Sequence, residues 1–169
     1  MLPKKIQGFN SFINGDNYAG LATEVTLPKL GRKVEEYWAA GMDGPIDIDM
    51  GGTKLESSIV IAEFTRALIL AHGTPTVDGN ELRFIGAAQS GQGVNSWDQI
   101  EVVQRGIFTE HDMGTIKGGD DTSMTLAASL TYYRYDLNGE TLIEIDRPGF
   151  IYKVGGVDLL AGQREILNP

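Results

Sequence analysis

"SMTLAASLTYYRYDLNGETLIEID", residues 123–146, is the stretch whose reading decides the fold. Asn138-Gly139 stands between two runs that alternate apolar and polar residues. That dipeptide supplies the positive φ angles of a type I′ turn, so the stretch predicts a β-hairpin. In its first arm Met124, Leu126, Ala128, Leu130 and Tyr132 share one face. Thr125, Ala127, Ser129, Thr131 and Tyr133 share the other, which is mostly small and polar.

Working outward, the same period recurs. "ELRFIGAAQ" (81–89) and "DQIEVVQRGIFTEHD" (98–112) read as strands joined by a glycine-rich loop, "SGQGVNS" (90–96). "LESSIVIAEF" (55–64) supplies another strand. "PIDIDMG" (45–51) sets Ile46, Ile48 and Met50 against Asp47 and Asp49, the pattern of a half-buried strand. "FNSFING" and "YAGLATEVTLPKL" predict a hairpin turning at Asn14-Gly15-Asp16. Two segments are helical: "FTRALILAHG" (64–73), stopped by Gly73 and Pro75, and "VDLLAGQREIL" (157–167), with Asp158 as its N-cap. Gly162 inside the second costs about 1 kcal/mol against alanine, so packing is expected to hold it. The fold class is mainly β: a single domain over 1–169, an antiparallel β-sandwich or barrel with one flanking helix and a short C-terminal helix.

Composition narrows the function. The 169 residues carry 14 Lys+Arg against 23 Asp+Glu, a net charge of −9, with no basic cluster to neutralise phosphates. Nucleic acid is therefore not expected as a bound ligand. The absence of cysteine removes disulfides and thiolate metal sites. No apolar run is long enough to span a membrane and the first residues lack a signal-peptide core, so synthesis in the cytosol and no stable membrane association are expected.

The residues that could carry chemistry do not assemble into a set. His72 sits at the end of the first helix, where an imidazole can bond the last carbonyls. His111 lies between Glu110 and Asp112, but neighbours on an extended strand point to opposite faces. "GGDDTS" (118–123) lacks the alternating oxygen ligands of a calcium loop. "GAAQSGQGVNS" (86–96) lacks the ending of a phosphate loop and reads as a flexible loop. Asp47 and Asp49 share a face, with no partner acid or base nearby, and charge there also blocks promiscuous edge pairing. No catalytic residue, metal site or cofactor site is expected.

What remains is "LGRKVEEYWAAGMDGPIDIDMGG", residues 30–52. Charge, aromatics and glycine together suit a surface that meets copies of itself. Tyr37, Trp38 and Met42 offer area to bury against a partner. Arg32, Lys33, Glu35 and Glu36 can fix register by charge complementarity. Gly41, Gly44, Gly51 and Gly52 permit close approach or unusual turns, and Asp43 and Pro45 complete the stretch. From these residues alone an ordinary hairpin whose aromatics pack inward is the favoured reading, since core packing is the commoner fate of aromatics, and it takes a family resemblance to turn the stretch into an interface.

The chain resembles the major tail tube proteins of contractile-tailed, P2-like phages, a family that includes the tubes of R-type pyocins. The resemblance is carried in order by "VTLPKLGRKVEEYWAAGMDGPIDIDMG", "QRGIFTEHDMGTIKGGDDT", "LTYYRYDLNGETLIEID" and "GGVDLLAGQRE". Trp38 and Ala40 depart from the arginine and glycine expected after the tyrosine, and residues 73–99 carry little signature. The resemblance implies a β-sandwich flanked by a helix, with 31–53 as an extended inter-subunit loop or hairpin. It implies six-membered rings stacked into a hollow tube inside a contractile sheath. The partners implied are the chain itself, the tail sheath protein, the tape measure protein, a baseplate tube initiator and a tail terminator. DNA would pass through a phage tube without being specifically bound; a bacteriocin particle would only puncture a membrane. Assembly in the host cytoplasm and a place in the virion tail follow. On this reading Arg32, Lys33, Glu35, Glu36, Tyr37, Trp38, Gly41, Met42, Asp43 and Pro45 make inter-subunit contacts. Asp47, Asp49, Ser129 and Thr131 are candidates for the lumen lining, since negative charge there would repel phosphate. Two other classes stay open: a monomeric β-sandwich module stacking Tyr37 and Trp38 on a ligand, and, more weakly, a hydrolase using Asp47, Asp49 or His111.

Overall fold

Fourteen consecutive residues, Met124–Leu137, form the longest strand but one in a computed structural model that describes residues 2–91 and 96–168. In chain order the strands are β1 (Lys5–Ile13), β2 (Asp16–Asn17), β3 (Ala22–Thr26), β4 (Arg32–Tyr37), β5 (Ile46–Gly52) and β6 (Leu55–Ile61). Helix α1 (Arg66–Leu70) runs into a single 3₁₀ turn, Ala71–Gly73. Then come β7 (Asn80–Gln89), β8 (Asp98–Asp112), β9 (Met124–Leu137), β10 (Glu140–Asp146), β11 (Ile151–Val154), β12 (Val157–Asp158) and α2 (Ala161–Leu167). Residues 92–95 of the glycine-rich loop lie outside the described residues, while 86–89, read as part of that loop, belong to β7.

All strand pairings are antiparallel, and the sheets do not close into a barrel. The Asn138-Gly139 turn joins β9 to β10 with φ of 51° and 83°, as the dipeptide predicts. β8 pairs with β9 along almost its whole length. On the other edge of β9 the partner changes: β6 pairs from Met124 to Leu130, and β10 from Tyr132 to Leu137. The sheet thus divides at Thr131. One branch continues through β6 to β3; the other runs β12-β11-β10-β9-β8-β7-β1-β2. The branches enclose one core, in which Ile59, Ile61, Leu68, Met124 and Leu126 meet Ile13, Leu82, Phe84 and Val102. That is the expected β-sandwich.

The division has a local cause. Arg105 faces Tyr132 and Gly106 faces Leu130, so Thr131 is an extra residue on β9, a β-bulge. A bulge shifts the alternation by one, and the two tyrosines exchange faces relative to the simple pattern. Tyr133, expected beside Ser129, is buried, while Tyr132 is only half-buried. Burial pushes the Tyr133 phenol up to about 12, with a smaller push from Tyr135. Gly106 makes the crossing possible. A Cβ there would overlap the Ser129 carbonyl oxygen and stand 2.8 Å from Leu130 Cα.

Three further expectations are corrected. β1 does turn at Asn14-Gly15, but it pairs with β2 only at Phe12 and Ile13; β3 pairs with β6 instead. Tyr18 is buried in the core, which takes the chain off the hairpin before β3. Helix α2 begins at Ala161, and Asp158 stands in β12, where it accepts from the Leu160 N–H and from Arg164. No residue of α2 is buried, so Arg164 rather than packing ties it down, bonding Asp158 and the Phe150 carbonyl.

Candidate assembly surface

β4 and β5 form a two-stranded sheet of their own, paired with no other strand among the described residues. An isolated two-stranded hairpin is at best marginally stable in water, so its sequence is expected to hold it or to await a cover. The register places Val34 opposite Asp49, Glu35 opposite Ile48, Glu36 opposite Asp47 and Tyr37 opposite Ile46. Paired residues share a face, so the hairpin has two unlike sides. Tyr37, Glu35, Ile46 and Ile48 lie on one. Val34, Glu36, Asp47 and Asp49 lie on the other, which is acidic.

Neither side is covered. Ile46, Ile48 and Met50 are 52%, 42% and 55% exposed, and Tyr37 and Trp38 are 50% and 64% exposed. The half-buried strand expected for 45–51 is therefore a strand with both faces open, because no second layer lies against it. Nor do the aromatics pack inward. At the tip, the Trp38 indole donates to the Met42 carbonyl at 3.1 Å, closing the turn that carries Gly41, Asp43 and Pro45.

The root is built more firmly. Arg32 Nε bonds both carboxylate oxygens of Asp49, at 2.8 and 3.1 Å, across the bulge between Arg32 and Val34. This bond from Arg32, then one from the Gly51 N–H, holds the Asp49 carboxyl below the usual aspartate range. The Arg32 guanidinium also lies 4.6 Å over the Tyr152 ring. Arg147, from the β10–β11 turn, donates to the Thr53 carbonyl at 3.0 Å. Its guanidinium occupies the space where any Cβ at Gly52 would stand. Arg147 and Tyr152 were not legible as part of this surface, because they are distant in sequence and carry no motif; only the glycine pair at 51–52 hinted at a close approach.

The sequence-predicted residues thus divide. Arg32, Lys33, Glu35, Glu36 and Tyr37 lie on β4, Trp38 to Pro45 form the tip, and Asp47 and Asp49 lie on β5. Ser129 and Thr131 are elsewhere, half-buried on β9, Ser129 between β6 and β8 and Thr131 at the bulge where the sheet divides.

The histidines meet, but not as the sequence suggests. His111 Nε2 lies 2.9 Å from the Leu68 carbonyl, so it is His111 that bonds a carbonyl of α1. Its Nδ1 is then the acceptor for the His72 Nδ1–H, 3.0 Å away. Asp112 accepts from the Gly114 N–H. Among the described residues no three His, Cys, Asp or Glu side chains are grouped to hold a metal ion, and no helix is long and apolar enough to cross a membrane.

Comparison with known proteins identifies the family. The family model for phage tail tube protein FII matches residues 3–167. The chain belongs to that family. It is 38% identical over 169 residues to the tail tube protein of Escherichia phage P2, covering 96% of each chain. It is 41% identical over 160 residues to the major tail tube protein of Serratia phage KSP20, covering 94% of this chain and 91% of that one. A member of the phage tail tube family is a structural protein of the virion tail, not an enzyme, and such proteins assemble with themselves.

Proposed function

We propose that the chain forms stacked hexameric rings, the hollow inner tube of a contractile tail, and that the β4–β5 hairpin is the arm by which each subunit grips its neighbours. The observation that carries this is the hairpin's exposure on both faces, with six large apolar side chains uncovered (Val34, Tyr37, Trp38, Ile46, Ile48 and Met50). Burying about half of each would contribute on the order of 1 kcal/mol per side chain, enough in sum to drive association. An arm that enters a site elsewhere on the next subunit makes a heterologous contact, which propagates into an open filament. Two unlike faces let the apolar side meet one neighbour while the acidic side meets another or the lumen.

The lumen assignment rests on charge. Asp47 on the acidic face has no ion-pair partner among the described residues, and Asp49 adjoins it. With Ser129 and Thr131 as small polar surface, such a wall would let DNA slide by repelling phosphate. Asp47→Lys is expected to slow DNA release from particles; unchanged release would remove the lumen role. The outer surface would face the tail sheath, and the ends an initiator at the baseplate, a terminator and, within the bore, the tape measure. Assembly would take place in the host cytoplasm.

The test is electron microscopy of purified protein over a concentration series. Hollow tubes of uniform width are expected for the wild type, and only single subunits for Ile48→Asp at the same concentrations. Wild-type protein that remained single subunits even with a purified baseplate would contradict the reading.

A further inference from the structure

A groove of about 580 Å³ opens at the hairpin root, between Gly51-Gly52, the β10–β11 turn and the start of α2. Its apolar wall is Ile145, Phe150, Tyr152 and Leu160, and two guanidiniums, Arg32 and Arg147, line it. Their situations differ. Arg32 has Asp49, whereas the acceptor that Arg147 finds is the Thr53 carbonyl. Asp146, also in the lining, accepts from the Gly149 N–H at the far side of its turn. Burial, and then the like charge of Arg32, push the Arg147 pKa down. A cation held over bare backbone at Gly52, beside another cation and with no ion pair among the described residues, is arranged to take an anion from outside.

A matching anion stands unused on the same chain. Residues 112–123, joining β8 to β9, are exposed without exception. Ile116 is 77% exposed, and Asp120 and Asp121 have no side-chain partner among the described residues. Lys117 is the loop's single cation, so 113–123 carries a net negative charge. The loop ends at Met124, while the groove lies level with Thr131, whose carbonyl accepts from the Arg147 N–H. At a strand rise of about 3.3 Å per residue these are roughly 20 Å apart along β9.

We propose that the groove receives the 113–123 loop of a neighbouring copy, Asp120 or Asp121 pairing with Arg147 while Ile116 enters the apolar wall. This rests on the self-assembly reading and specifies a contact within it. Loop and groove are different patches, so the contact runs head to tail and repeats. It also engages the hairpin root, which couples seating of the loop to the aim of the β4–β5 arm.

Because the chain has no cysteine, the contact can be read by cross-linking. Ile116→Cys and Gln163→Cys, the latter on the groove rim, are made in separate copies, mixed under assembly conditions and treated with a short bismaleimide. Dimers are expected in the mixture and not in either variant alone. Arg147→Glu is expected to raise the concentration needed for tubes about tenfold, and combining it with Asp120→Arg and Asp121→Arg to restore assembly, whereas the lost bond to the Thr53 carbonyl is common to both variants and cannot account for the difference between them. Tubes that form without the cross-link, or a charge swap that restores nothing, would overturn the groove assignment and leave self-assembly standing. Failure of the wild type to assemble at all would instead remove the reading beneath it.

Discussion

β9 and β5 are written in the same alternation and meet opposite fates. In β9, Met124, Leu126, Ala128 and Leu130 are between 0% and 5% exposed; in β5, Ile46, Ile48 and Met50 are between 42% and 55% exposed. Alternation determines which side chains share a face, because the strand period is two. It does not determine what lies opposite. β9 has a strand on each edge and a second layer across the core, whereas β5 has one partner strand and open space. The first is completed by its own chain. The second is left open by its own chain, and the proposed assembly would supply its cover.

That contrast can be broken by truncation. Leu126→Ala removes a core side chain and is expected to cost about 2–5 kcal/mol in urea unfolding, whereas Ile48→Ala should leave subunit unfolding within about 0.5 kcal/mol and act on tube formation instead. Equal losses of subunit stability from the two would show the hairpin to be part of the core. Next in size is Gly106→Ala at the β9 bulge. The added methyl meets backbone that cannot rotate away, so a loss of about 1–3 kcal/mol is expected. The contrasting substitution is Gly52→Ala, where the methyl meets only the end of the Arg147 side chain; it should shift that guanidinium with little loss of subunit stability.

The smallest effect is one of pH. The folded carboxyl of Asp49 titrates below its unfolded counterpart, so its pairing with Arg32 is present above the ordinary aspartate value of about 4 and is lost as pH falls through the lower folded value. Amide exchange at the hairpin root should therefore quicken at acid pH, more in the wild type than in Asp49→Asn, which has no such titration. A response equal in both would remove Asp49 from the root.

How far the sequence could be read follows from the same contrast. Local chemistry was legible: Asn138-Gly139 marks its turn, the run 98–112 is a strand to its ends, and the helical stretch stops at Gly73, although α1 itself is only Arg66–Leu70 and its last turn is 3₁₀. Non-local partners were not. Nothing around Thr131 announces a bulge, because the residue that needs it, Gly106, lies across the sheet on β8. β3 reads as the continuation of β1's hairpin until Tyr18 is seen to be buried. The separate hairpin was half visible. The family resemblance implied an extended loop or hairpin over 31–53, and the structure has a two-stranded sheet there, Arg32–Tyr37 with Ile46–Gly52. The Arg147–Gly52–Thr53 closure and the Arg32–Tyr152 contact join segments roughly a hundred residues apart, and no periodicity reaches that far.

Whether the β4–β5 hairpin is completed by neighbouring copies is measured directly by hydrogen exchange of its amides in free subunits and in tubes. Amides of 32–37 and 46–52 should exchange fast in subunits below the assembly concentration and at least about a hundredfold more slowly in tubes, while those of 124–130 stay protected in both. Hairpin amides as protected as β9 in the free subunit, or unchanged on assembly, would contradict that completion.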